Sequence, residues 1–180
     1  MQNNQRSKIS TSPRLRPSAP ASEVSGENEK CKILATKGFL IARNLTSDVA
    51  ILVHSNEFQL GAMLHLNSPG KEESENVVAG DAFAKSALAM ILAEFETLGV
   101  TRTSLNTYAI GGSVADGFPG VTDSAMRSAL AQYGLSPSNC DLGGTQMRSV
   151  WLDVETGRII VRSQPIASAL PAEAPLSLAS

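Results

Sequence analysis

Asn44–Pro69, NLTSDVAILVHSNEFQLGAMLHLNSP, holds two apolar runs around a polar break, and the reading of that pattern decides the fold. Val49 to Val53 is apolar and rich in β-branched residues, Ser55-Asn56-Glu57 interrupts it, and Leu60 to Leu66 resumes an apolar run. The pattern predicts a β-hairpin. Antiparallel pairing puts the start of the first strand and the end of the second at the same end of the hairpin. Asp48 and His65 are therefore expected to be neighbours. A carboxylate beside an imidazole fixes the ring tautomer, but without a nucleophile the pair is not a complete catalytic site.

Working outward, Lys32 to Arg43 (KILATKGFLIAR) reads as two brief strands around Lys37-Gly38. On the other side, Asn67 to Val77 carries Ser-Pro-Gly and the acidic residues Glu72, Glu73 and Glu75, which predicts a surface loop. Asp81 to Leu98 follows as the clearest helix: Ala84, Leu88, Ile91, Leu92, Phe95 and Leu98 recur at helical spacing, with Asp81 as N-cap and Gly99 as stop. Met90 and Phe83, on or near that stripe, are expected in the core. Ser104 to Ile110 reads as a strand running into Gly111-Gly112. With neither a longer glycine fingerprint nor a P-loop lysine, that dipeptide reads as a tight turn, not a phosphate site. Thr122 to Tyr133 is a second, shorter helix with Met126, Leu130 and Tyr133 on one side and Gly134 as its stop. Cys140 to Gly144 reads as a turn, and Met147 to Val154 with Arg158 to Arg162, joined across Thr156-Gly157, as a terminal hairpin.

The 180 residues, 42% of them hydrophobic, fit one domain with its own core. Residues 1–29 are rich in Ser, Pro, Asn, Gln and Glu and read as a disordered arm, residues 30–163 as the domain, and residues 164–180 as a flexible tail. A net charge of −2 argues against nucleic acid, since the only basic cluster is Arg6, Lys8, Arg14 and Arg16 in the arm. No apolar stretch approaches the roughly 20 residues needed to span a bilayer, and the basic N-terminus lacks the apolar segment of a secretory signal peptide. Cys31 and Cys140 lie far apart without metal spacing, so neither a disulfide, a metal site nor a cofactor is expected, and two thiols fit a reducing cytoplasm.

Gly61-Ala62-Met63 with His65 and Pro69, then Ile110-Gly111-Gly112, then Asp141, Gly143, Gly144, Arg148-Ser149-Val150 and Glu155-Thr156-Gly157 resemble, in order and spacing, the CheD family of chemoreceptor glutamine deamidases. The resemblance spans about Ile33 to Arg162. It implies an α/β fold, here a single CheD-like domain of mixed β-sheet strands flanked by two main helices. It also implies an activity, hydrolysis of receptor glutamine side-chain amides by a cysteine nucleophile with an activating histidine and an orienting threonine. The partners it implies are chemoreceptor cytoplasmic helices and, for some members, a CheC-type phosphatase.

By that resemblance the histidine falls on His65. The family's Leu-Gly-Ser-Cys motif falls on Leu45-Thr46-Ser47-Asp48, which puts Asp48 at the nucleophile position, and the threonine position falls on Ala42. A further family segment, Ile-Gly-x-Arg-Asn, meets only Phe118-Pro119-Gly120-Val121-Thr122. A cysteine serves as nucleophile because its thiolate is reactive near neutral pH beside a histidine. A carboxylate attacks an unactivated amide poorly, and its acyl adduct would be a high-energy anhydride. Ser47 is adjacent, but neighbouring strand residues point to opposite faces. Cys140 reads as a structural cysteine, and Cys31 has less to recommend it. Water activation by Asp48 and His65 lacks an oxyanion donor or metal. The expected function is a cytoplasmic binding module of the chemotaxis system without deamidase chemistry; the alternative is a deamidase with a rearranged site.

Overall fold

A computed structural model describes residues 21–23, 31–35, 37–66, 77–113 and 123–166, with side chains in 37–66, 87–113 and 126–166. In chain order the strands are β1 (Ala21–Glu23), β2 (Cys31–Ala35), β3 (Phe39–Leu45), β4 (Val49–Ser55) and β5 (Leu60–Leu66). Helix α1 (Val77–Thr97), β6 (Asn106–Gly111), helix α2 (Asp123–Ala131), β7 (Pro137–Leu142), β8 (Gln146–Asp153) and β9 (Ile159–Pro165) follow. They form two mixed sheets, one ordered β1-β3-β8-β9 and the other β2-β5-β4-β6-β7. This is the α/β domain of mixed strands and two main helices that the CheD resemblance implies.

The expected hairpin lies inside the five-stranded sheet. β4 and β5 pair antiparallel from Val49↔Leu66 to Ser55↔Leu60, and β6 closes the other side of β4, from Val49↔Gly111 to His54↔Asn106. Every residue of β4 is buried. Side chains alternate across a strand, so Val49, Ile51 and Val53 join Leu60, Ala62 and Leu64 in the cluster that meets the helices, through Leu88, Ile91, Leu92 and Phe95 of α1 and Met126 and Leu130 of α2. Ala50, Leu52 and Met63 project the other way, onto Leu40, Ala42, Val150, Leu152 and Val161 of the four-stranded sheet. A strand covered on both faces needs apolar residues at nearly every position. That is why VAILV reads as one unbroken run.

Both helices end as the glycines predict. Gly99, at φ +85°, lets Val100 N–H reach Phe95 O at 2.9 Å, and Gly134, at φ +70°, lets Leu135 N–H reach Leu130 O at 3.1 Å. These are the six-to-one bonds of a glycine-terminated helix. The terminal hairpin is present as β8 and β9, turning through Gly157 at φ +68°.

Several expectations need correction. Helix α1 starts at Val77, not after Asp81; in the sequence, Val77 and Ala84 are seven residues apart, so the apolar helical spacing runs two turns further back than Ala84. Met90 is 68% exposed and Leu98 46% exposed: Met90 lies on the face opposite Leu88, Ile91 and Leu92, and Leu98 sits past the last helical turn. Pro137–Leu142 is a strand parallel to β6 and not a turn, so the turn shrinks to Gly143-Gly144. With Pro, Ser, Asn and Asp it has little intrinsic strand preference, and its pairing with β6 supplies what local sequence does not. The strands on either side of Lys37-Gly38 enter different sheets, β2 beside β5 and β3 beside β8. Ala21–Glu23, inside the segment read as an arm, pairs in parallel with β3. Phe83, the Asn67 to Asn76 part of the acidic loop and the Phe118 to Thr122 segment lie outside the described side chains or residues.

Candidate functional site

The chain passes from one sheet to the other between Leu45 and Val49, and the site forms at that crossing. β3 and β8 pair regularly from Phe39↔Asp153 to Ala42↔Val150, and the register then shifts before Leu45↔Arg148. Asn44 occupies the irregularity at φ +55°, a left-handed conformation that Asn tolerates better than most residues, and its N–H donates to Ser149 Oγ at 3.1 Å. The kink returns Leu45 to the buried interlayer and releases Thr46–Asp48 toward β4.

Asp48 and His65 meet there. His65 Nε2 lies 3.3 Å from Asp48 Oδ2, with the His65 side chain 4% exposed and that of Asp48 29% exposed. The contact follows from the hairpin register: Ala50 pairs with His65 and Val49 with Leu66, which leaves Asp48 at the open end of the strand beside the ring. A carboxylate accepts, so the ring nitrogen facing position 48 carries the hydrogen. His65 shares its face of β5 with Met63, so it projects into the layer between the sheets. Ala42 is fully buried in the same layer and offers no polar side-chain atom. Cys140 packs against the helix-side cluster, on the opposite face of the five-stranded sheet; the Cys31 side chain is outside the described set.

The Gly111-Gly112 dipeptide is a close-approach device. Gly112 N–H donates to Asp48 O at 2.7 Å and Ser113 N–H to Thr46 O at 2.6 Å. Gly111 has φ +121°, and a Cβ added there would collide with Asp48 O. No side chain fits between these backbones. The two glycines thus hold the Thr46–Asp48 crossing in place.

Behind that turn is a buried arginine. Arg148, 6% exposed, directs Nη1 to Ser113 Oγ at 2.8 Å and to Gly143 O at 2.9 Å, and pairs Nη2 with Asp141 Oδ1 at 2.8 Å. Ser113 Oγ, fully buried, also donates to Gln146 O, and Gly143 N–H donates back to Gly111 O at 2.9 Å. The guanidinium fork therefore ties together the ends of β6 and β7 and the start of β8. Asp141, Gly143, Gly144 and Arg148 are motif residues of the resemblance to which the sequence alone assigns no role. A signal was available: Arg148 shares strand parity with Val150 and Leu152, and an arginine on an apolar face requires buried partners.

A hairpin-borne acid–imidazole pair between two sheets, steadied by a glycine turn and a buried arginine, defines a three-layer α/β domain with its site at a sheet crossing. A family model described as CheD chemotactic sensory transduction matches residues 66–163, more than half of the chain, and the chain belongs to the CheD family. That match begins immediately after His65. The chain is similar to the probable chemoreceptor glutamine deamidase CheD of Syntrophomonas wolfei, 25% identical over 133 residues, covering 69% of this chain and 83% of that protein. It is similar also to the chemoreceptor glutamine deamidase CheD of Thermotoga maritima, 25% identical over 138 residues with 72% and 85% covered. The probable chemoreceptor glutamine deamidase CheD of Methanococcus vannielii is 28% identical over 127 residues, with 66% and 80% covered.

Proposed function

We propose that this chain is a divergent chemotaxis protein of the CheD family that acts as a cytoplasmic binding module for chemoreceptor helices or a CheC-type phosphatase, and that it has lost deamidase chemistry. Its working unit is residues 30–163, to which β1 (Ala21–Glu23) adds a strand and which β9 extends to Pro165. The observation that carries this reading is the 3.3 Å contact of His65 Nε2 with Asp48 Oδ2. In the resemblance, position 48 is the nucleophile and His65 is the base that receives its proton. Here the ring nitrogen facing position 48 donates to an acceptor that has no proton to give, so no nucleophile is generated. Ala42, at the position of the orienting threonine, removes the second polar group. Cys140 packs on the other face of the sheet and cannot stand in.

Mass spectrometry of receptor cytoplasmic fragments incubated with the purified protein tests this directly. The expected result is binding to receptor or phosphatase with no glutamine-to-glutamate conversion. Conversion that is lost in His65→Ala would overturn the reading in favour of a rearranged deamidase. Gain of conversion in the double variant Asp48→Cys with Ala42→Thr is expected if only the two side chains, and not the frame around them, have changed.

A further inference from the structure

We propose that Arg148 is a positioning residue for the Asp48–His65 pair, acting through Ser113 across the sheet crossing. The reading rests on that pair being the centre of the site. The connection is made of four named contacts. Arg148 Nη1 donates to Ser113 Oγ at 2.8 Å. Ser113 N–H donates to Thr46 O, and Gly112 N–H to Asp48 O at 2.7 Å. Asp48 Oδ2 then meets His65 Nε2 at 3.3 Å. Each link before the last is short, and Ser113 and Arg148 are buried, so the restraint is not diluted by water.

The geometry also shows why an arginine is used. One guanidinium reaches four acceptors: Ser113 Oγ after β6, Asp141 Oδ1 and Gly143 O around the end of β7, and Gln146 O at the start of β8. A lysine ammonium is a point charge on a flexible stem and cannot hold this planar arrangement. Without the fork, the Gly111–Ser113 turn keeps its hydrogen bonds to Thr46 and Asp48, and the Ser113 hydroxyl keeps its bond to Gln146 O, but the charged tie from Arg148 that fixes the Ser113 side chain is lost. The main chain of Asp48 is then free to drift against β5, where His65 is fixed by strand pairing. The acid–imidazole distance is the quantity that Arg148 sets.

The chain has two histidines, and His54, at the other end of β4, makes its contact to Val154 O at 2.8 Å. It serves as an internal reference. Imidazole ¹⁵N spectra of the full-length protein at one neutral pH should show the His65 ring resonances of Ser113→Ala and Arg148→Lys displaced in the direction that Asp48→Asn displaces them, with those of His54 unmoved. Unmoved His65 resonances in either folded variant overturn the proposal. So does a common displacement of both rings, which would mark a general loosening of the interlayer. Ser113→Ala removes only a hydroxyl and keeps the test open should Arg148→Lys fail to fold. Because the ring itself is read, the result is independent of whether receptor binding or deamidation is found.

Discussion

His54 and His65 stand at opposite ends of the same hairpin, project into the same interlayer, and are 1% and 4% exposed. Burial does not distinguish them. Their partners do. His54 Nε2 donates to the main-chain carbonyl of Val154 at 2.8 Å, under the β8–β9 turn, where a Cβ on Gly157 would lie 2.6 Å from its Nδ1. His65 meets a carboxylate that is 29% exposed, at a crossing between sheets held by glycines and a buried arginine. A histidine locked onto a backbone carbonyl is a core residue; one whose partner reaches solvent can be addressed by a ligand or a protein surface.

The sharpest way to break this contrast is Gly111→Ala. It forces a side chain into a backbone region reserved for glycine and against Asp48 O, and should cost about 3–4 kcal/mol in denaturant unfolding while displacing Asp48 from His65. Gly157→Ala attacks the His54 end. There the added methyl meets a ring and the Asn56 side chain at φ +68°, and a loss of about 2–3 kcal/mol is expected. If Gly157→Ala moved the His65 ring signals as much as those of His54, the two ends would not be independent and the contrast would fail. Asp48→Asn should change stability by less than about 1 kcal/mol, since the pair is open to solvent on one side, yet it should weaken the proposed binding to receptor or phosphatase measured by calorimetry. An unchanged affinity would remove Asp48 from the binding surface. Met90→Gln, on the exposed face of α1, should stay within about 0.5 kcal/mol of the parent in the same unfolding assay.

How much of this was legible varied with the kind of signal. The hairpin, both glycine helix stops and the terminal β-hairpin follow from local pattern, because each depends on side chains within a few residues of one another. β7 did not follow: PSNCDL becomes a strand only by lying beside β6. Met90 lies beside the apolar stripe in sequence, but its angle around α1 points it to solvent. At the site, Asp48 and His65 were brought together by antiparallel geometry and a motif resemblance. The roles of Ser113, Asp141 and Arg148 needed the end of β6 to be seen in contact with the β7–β8 corner, which is distant from it in sequence.

The sequence by itself determined the central hairpin and the adjacency of Asp48 and His65, because alternation, turn chemistry and register are local or nearly so, and the α/β class came with the motif resemblance. Tertiary structure alone decided that β2 and β3 part into different sheets, that Cys140 faces away from His65, and that Gly111-Gly112 is a backbone contact with Asp48. Those facts depend on which surfaces bury each other, a choice made by the packing of two sheets and two helices and carried by no single segment.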